Sequence, residues 1–356
     1  MKKSLFAFLF ILIPLTGFSQ DLSVATQKAD SIVQEFFISN NFPGMSVSVF
    51  KGNEMVWSKG YGFADVENQI PVDPSVTKFR IGSVSKTLTA AGLGVLIQED
   101  KVDPDAEIQK YVPQFPEKNY PITVKQVAGH IAGIRHYRGS EFMSKKLYET
   151  VNEGLTIFMN DTLLFEPGTQ YSYSSYGWNL ISAVIEGASG EEFLPFMKEE
   201  VFDPLGMNNT VPEWSNQEIP DLTKFYARSG DSNEEAEFVD NSYKWAGGGF
   251  VGTTEDLIMF GKAFLDHDYL NEETQAQLMT PQTLENGEST NYGMGWSVLT
   301  DDAGRIWTGH SGGSVGGRTM FLINKENRMV IAYTVNHSSA SFGDLHFQIA
   351  DVFLDE

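Results

Sequence analysis

The β-prone residues of this chain are gathered at its two ends. Met45 to Phe50 and Met55 to Phe63 alternate apolar with polar positions around Lys51-Gly52-Asn53-Glu54, the pattern of a hairpin. Strand signals return only at Gly295 to Leu299, Arg305 to Thr308, Thr319 to Ile323 and Met329 to Asn336, the last two joined by Asn324-Lys325-Glu326-Asn327. Helical periodicity brackets them, through Leu22, Ala25, Ala29, Ile32, Val33 and Phe36 before and Leu345, Ile349, Val352 and Phe353 after. The segment between is punctuated by prolines from Pro104 to Pro220 and reads as helix or loop without convincing strands. Such a layout predicts an α/β (α+β) fold, with one antiparallel sheet assembled from both chain ends and an inserted, mostly helical domain. The expected division is 21–80 with 245–356 for the sheet domain and 81–244 for the helical one, with the active site at their interface.

Residues 1–20 are expected to be a cleaved secretory signal peptide. Lys2 and Lys3 precede the apolar run Leu5 to Ile13, and small residues follow up to a cut near Ser19 or Gln20. That run is too short for a permanent span, so the expected location is periplasmic or secreted, without stable membrane insertion. The chain has no cysteine, which excludes disulfides, a cysteine nucleophile and thiolate metal ligands. Its net charge of −22 argues against nucleic acid and anionic membrane surfaces. The acidic group Asp231 to Glu237 reads as a solvated loop.

Chemistry is suggested first by Phe79-Arg80-Ile81-Gly82-Ser83-Val84-Ser85-Lys86. From Val84 the apolar positions Val84, Leu88, Ala91, Val95 and Leu96 trace one buried helical face, so Ser83 falls where a helix begins and Lys86 lies on its side of that helix. A hydroxyl is thereby brought to an amine, which can take its proton if burial and a second cation keep the amine neutral. The S-x-x-K spacing alone is weak, since it recurs at Ser48/Lys51 and Ser75/Lys78. Ser48 is on a strand, where i and i+3 point apart, and Ser75 is in a turn. Ser83 remains, with a plain N-cap serine as the competing reading.

Other patterns fail on context. Gly309-His310-Ser311-Gly312-Gly313 fits G-x-S-x-G, but a β-prone run follows where a nucleophile elbow needs a helix. Gly312 to Thr319 looks like a phosphate loop with Arg318 in place of the required lysine, again followed by a strand. No H-E-x-x-H is present, and the six histidines are dispersed singly, each reading as a surface or core histidine rather than a metal ligand.

Three distant pieces taken together, Phe79 to Lys86, Pro167 to Gly177 and His310-Ser311-Gly312-Gly313, resemble the catalytic elements of the serine β-lactamase-related hydrolases, the group of class C β-lactamases, D,D-peptidases and related esterases. Secondary landmarks support the resemblance at Gly129 to Ile134, Asp203 to Met207, Gly247 to Thr254 and Tyr292 to Trp296, so it spans nearly the whole chain. It implies a β-lactamase/transpeptidase-like fold, with Ser83 as nucleophile, Lys86 as its proton acceptor and Tyr173 relaying the proton to the leaving group. The Ser83 and Gly313 N–H groups would form the oxyanion hole, and Ser175, His310, Ser311 and Gly312 would contact substrate. No metal or cofactor is implied.

Two departures stand out. Tyr173-Ser174-Ser175 replaces the usual Tyr-x-Asn, so a shorter hydroxyl stands where an amide would hold a substrate carbonyl or the lysine. His310-Ser311-Gly312 replaces Lys-Thr-Gly, so a fixed cation becomes a group expected to titrate near neutrality, or else to hydrogen-bond Tyr173 in its neutral form. Both weaken the expectation of β-lactam turnover and resemble the mitochondrial serine β-lactamase-like subgroup, as does His130 to Tyr137. The expectation is an exported serine hydrolase acting on a peptide, amide or ester through an acyl-enzyme, with a small-molecule or peptide substrate as its partner. The alternative is a penicillin-binding-like protein that binds cell-wall peptides without turnover.

Overall fold

The computed structural model of the chain describes residues 16–354, so the run Leu5 to Ile13 behind the leader reading lies outside the described residues. The early hairpin, β1 (Gly44–Lys51) and β2 (Glu54–Asp65), is followed by the short edge strand β3 (Ile70–Pro71). The late strands are β4 (Ser297–Thr300), β5 (Ile306–Ser314), β6 (Gly317–Asn324) and β7 (Met329–Val335). They form one seven-stranded sheet in the order β3-β2-β1-β7-β6-β5-β4, and its pairings are antiparallel. The two chain ends meet where β1 pairs with β7, Met45 opposite Val335 and Lys51 opposite Met329.

Both faces of β1 are covered. Met45, Val47 and Val49 share a core with Ala25, Ala29 and Val33 of α1 (Thr16–Ser39), and with Ile349 and Phe353 of the closing helix Leu345–Leu354. On the opposite face Ser46 and Ser48 are fully buried, and their hydroxyls meet Thr254 Oγ1 at 2.7 and 2.8 Å, beneath the helix Thr254–Asp266. These hydroxyls satisfy one another where an unpaired one would be costly. Phe50, Phe321, Ile323, Val330 and Ala332 on that side join the larger core that runs through the helical middle of the chain.

Three local readings are corrected. The helix α2 (Ser85–Gln98) is buried all round from Ser85 to Ile97 rather than on one face. Small residues make this possible: a Cβ on Gly92 would meet Met197 Sδ at 3.0 Å, and one on Gly94 would meet Leu270 Cδ1 at 2.8 Å. The middle segment does contain strands. Tyr226–Ser229 pairs as a hairpin with Ser232–Glu235, which lies inside the acidic group read as a loop, and Val211–Pro212 joins Phe79–Arg80 and Phe250–Gly252 in a small sheet. Their side chains are too polar or too few to show a period of two. Lastly, β5 continues past Thr308 to Ser314; its glycines have low strand propensity, and pairing with β6 holds them extended.

Candidate active site

Ser83 sits in a single 3-10 turn, Gly82–Val84, that leads into α2. Gly82 makes the turn possible with φ +52°, a conformation that costs a residue with a side chain. The turn is pressed against β5: a Cβ on Gly82 would lie 2.5 Å from Gly313 N, and one on Gly312 would lie 1.9 Å from Ile81 O and 3.4 Å from Ser83 N. Bare backbone on both sides therefore brings the amides of Ser83 and Gly313 into one neighbourhood.

Lys86, one helical turn on, is fully buried. Its Nζ lies 3.1 Å from Ser83 Oγ, 3.2 Å from Ser175 Oγ and 2.5 Å from Gly247 O. Burial, reinforced by the charge of Lys244, holds this amine well below the usual lysine range. Lys244 is itself buried, with its Nζ 4.3 Å from the Phe142 ring and 5.4 Å from that of Tyr243. Its own pKa is pushed down to about 7 by burial and by the charge of Arg80. Ser175, the first residue of the helix Ser175–Ser189, thus spends its hydroxyl on the lysine.

Tyr173 Oη is 2.8 Å from Ser83 Oγ. Burial raises this phenol above its ordinary range, so it stays protonated and donates to the serine. One residue clamps the backbone on both sides of it. His130 O accepts from Ser172 N at 2.9 Å, and His130 Nδ1 accepts from Ser174 N at 3.1 Å. The His130 ring also packs on Tyr173 with centroids 4.3 Å apart, from a backbone held at φ +64°. Because Nδ1 accepts, the ring proton belongs on Nε2, and the ring is neutral with its pKa far below normal through burial and the Lys86 charge. His136 repeats the device by accepting from Ser175 N at 3.1 Å, with a pKa lowered to about 4 by burial and by the Lys86 charge.

His310 departs from its expected part as a cation titrating near neutrality. It is buried, its Nδ1 donates to Ser311 O at 2.6 Å, and its Nε2 accepts from Tyr292 Oη at 3.0 Å. A carbonyl can only accept, which places a proton on Nδ1; in the neutral ring Nε2 is then the acceptor. Burial and the Lys86 charge push its pKa to about 3. Its hydroxyl partner is Tyr292 rather than Tyr173. Ser311 is exposed on β5, and Gly312 is buried against the serine turn. A cavity of about 890 Å³ opens over these residues, lined by Ser83, Tyr173, His310 and Gly313 among others.

His130, His136, Lys244 and Tyr292 had no assigned part in the sequence reading. His130 and Tyr292 lie in the landmarks Gly129 to Ile134 and Tyr292 to Trp296, and His136 in the segment His130 to Tyr137. Among the described residues no group of three or more His, Asp or Glu is arranged to hold a metal ion.

Known proteins resemble the chain over most of its length. The Beta-lactamase family profile matches residues 29–352. The mitochondrial serine beta-lactamase-like protein LACTB of Homo sapiens is 31% identical over 381 residues, covering 80% of this chain and 69% of that protein. A D-aminopeptidase of Gluconobacter oxydans is 29% identical over 308 residues, covering 84% of this chain and 57% of that one. The solved D-amino acid amidase from Ochrobactrum anthropi SV3, complexed with L-phenylalanine amide, has the same fold, with a TM-score of 0.80 over 94% of this chain and 99% of that one at 21% identity.

Proposed function

The chain belongs to the β-lactamase family of serine hydrolases, and on that premise we propose that it cleaves a peptide, amide or ester bond through an acyl-enzyme on Ser83. The observation that carries this reading is the pair of contacts on one hydroxyl, Lys86 Nζ at 3.1 Å and Tyr173 Oη at 2.8 Å. A neutral amine has two N–H donors and one lone pair. Gly247 O and Ser175 Oγ take the donors, and the lone pair is left for the Ser83 proton. Ser83 Oγ then attacks the carbonyl as its proton passes to Lys86. In this reading the amides of Ser83 and Gly313 receive the developing oxyanion, where two fixed donors contribute roughly 3 to 4 kcal/mol each.

Tyr173, held as a phenol, gives its proton to the departing nitrogen or oxygen and is reprotonated from the Lys86 ammonium. Water attacking the ester reverses these roles and releases Ser83. Relatives named for D-aminopeptidase and D-amino acid amidase activity support amides and short peptides as the substrate class, and the leader-like N-terminus supports action outside the cytoplasm. The test is covalent labelling by a fluorophosphonate and a labelled penicillin, followed by peptide mapping. An adduct on Ser83 that is absent in Ser83→Ala and present in Ser311→Ala is expected. Labelling lost in Ser311→Ala but kept in Ser83→Ala would transfer the nucleophile to β5. No adduct in the wild type would favour a binder without turnover.

A further inference from the structure

The helical middle of the chain builds a second cavity, of about 930 Å³, which shares no lining residue with the one over Ser83. It opens between the end of the helix Ser175–Ser189, the helix Phe193–Met197 and the strand Val211–Pro212 of the small sheet. One wall is aromatic. The rings of Trp214 and Trp245 meet there with centroids 4.7 Å apart. Trp214 is partly exposed, whereas Trp245 is 4% exposed and its Nε1 donor has no acceptor among the described residues. Buried donors are ordinarily paired, so an unpaired one in the wall of a cavity is a group that a bound molecule can satisfy.

Charge in this cavity is one-sided. Lys198 is the one basic side chain among the described lining residues, and Asp203 holds it at 2.5 Å. Glu149, Glu186, Glu191, Glu192 and Glu199 also line the cavity, with no cation within ion-pair distance among the described residues. Glu186 is the least exposed of them; it accepts from Phe193 N at 3.0 Å, and burial raises its pKa. A cation beside it would relieve that cost, and the face of an indole attracts the same charge. A neutral molecule gains neither, and an anion is repelled. The aromatic wall is also tied to the active site. Trp245 opens the short helix Trp245–Gly248, whose Gly247 O accepts from Lys86 Nζ. Trp214 follows Glu213, the ionic partner of Arg80, which stands three residues before Ser83.

We propose that this cavity is a second ligand site, for a small organic cation with an ammonium group on an apolar body, and that filling it alters the acylation of Ser83 through the helix Trp245–Gly248. The binding site stands without Ser83 as nucleophile. The effect on acylation rests on that reading.

The test uses three probes of one shape, 3-phenylpropylamine, 3-phenylpropanol and 3-phenylpropionate, titrated calorimetrically into wild type and into protein carrying a fluorophosphonate adduct. The amine should bind both forms at least tenfold more tightly than the alcohol, and the propionate more weakly than either. The triple variant Glu186→Gln, Glu191→Gln, Glu192→Gln should bring the amine down to the alcohol. Trp214→Ala should weaken the amine at least fivefold, and Trp214→Phe, which keeps a ring, should recover part of that loss. Added salt should weaken the amine in wild type far more than in the triple variant. Saturating amine should change the rate of fluorophosphonate labelling at least twofold in wild type and leave that of Trp214→Ala unmoved. Equal affinity for amine and alcohol, or an amine affinity unchanged in the triple variant, overturns the site. Amine binding that disappears once the adduct is formed places the cation in the first cavity and overturns it equally. Binding that survives the adduct, with a labelling rate that the amine does not move, overturns the effect on acylation and leaves the site. Absence of any adduct in wild type defeats the Ser83 reading and that effect with it, while the three probes on unlabelled protein still decide the site.

Discussion

Lys86 gives up its proton because it is buried and because the charge of Lys244 repels a second cation. A base with a depressed pKa is active above that pKa, so kcat/KM for a neutral substrate should rise with pH along a single limb and then level. Lys244→Met removes the repelling charge, raises the Lys86 pKa, and should move that limb to higher pH; an unmoved limb would detach Lys244 from the site. Lys86→Arg should lose acylation by at least about a hundredfold, since arginine cannot accept the proton. His310 gives the opposite expectation to the one its sequence position suggests: with a pKa near 3 it should add no falling limb around pH 6.5 for anionic substrates, and such a limb in the wild-type profile that His310→Gln abolishes would refute its neutral assignment. His130 is a positioning residue for Tyr173. His130→Ala should therefore slow amide turnover far more than that of a p-nitrophenyl ester, whose leaving group needs no proton, whereas a merely structural loss would slow both alike. His130→Asn, which tolerates positive φ and keeps an acceptor, should recover part of the amide rate. The Ser83 and Lys86 pairing could be read from the sequence because three residues along a helix is a local distance. The partners of His310 and His130 could not, since Tyr292 reaches His310, and Ser172 and Ser174 reach His130, only through the tertiary fold.

Among the elements, the small sheet of Phe79–Arg80, Phe250–Gly252 and Val211–Pro212 joins the serine turn to the rest of the chain. Arg80 anchors it. The guanidinium binds Glu213 at 2.5 Å and Val315 O at 2.6 Å, with both ionic side chains nearly inaccessible to water. Asn241 Nδ2 donates to Glu213 Oε2 at 2.7 Å, so the carboxylate is satisfied from two sides. Removing one partner of a buried pair leaves a bare charge, and Arg80→Met should cost about 3 to 5 kcal/mol in denaturant melts. A loss under about 1 kcal/mol would mean that Glu213 finds another proton or cation. Arg80→Met, Glu213→Leu together should recover much of that cost. The main sheet was legible because β1, β2, β6 and β7 carry strong apolar patterns. The end of β5 and the acidic hairpin were not, since glycine and short polar runs carry no periodicity and are held extended by their neighbours.

Across the whole molecule, five of the six histidines have depressed pKa values, each through burial first. The folded state then binds fewer protons than the unfolded chain between about pH 3 or 4, from the values for His310 and His136, and the ordinary histidine value near 6.5. Stability is accordingly full above that window and lost as pH falls through it. Thermal melts should show the midpoint dropping by several degrees, of order 5 °C, from about pH 7.5 to about pH 5. A flat or rising midpoint on acidification would show that relief of repulsion among the 47 acidic side chains outweighs the histidines. The contact between the serine turn and β5 has a consequence of another kind. Residues about 230 positions apart meet there through main chain alone, with Gly312 against Ile81 O and Gly82 against Gly313 N. A joint without side chains offers mutation nothing to adjust, so descendants of this scaffold can change what they cut only by altering the surrounding walls, Arg318 and Glu237 among them, while the joint itself is inherited whole or lost.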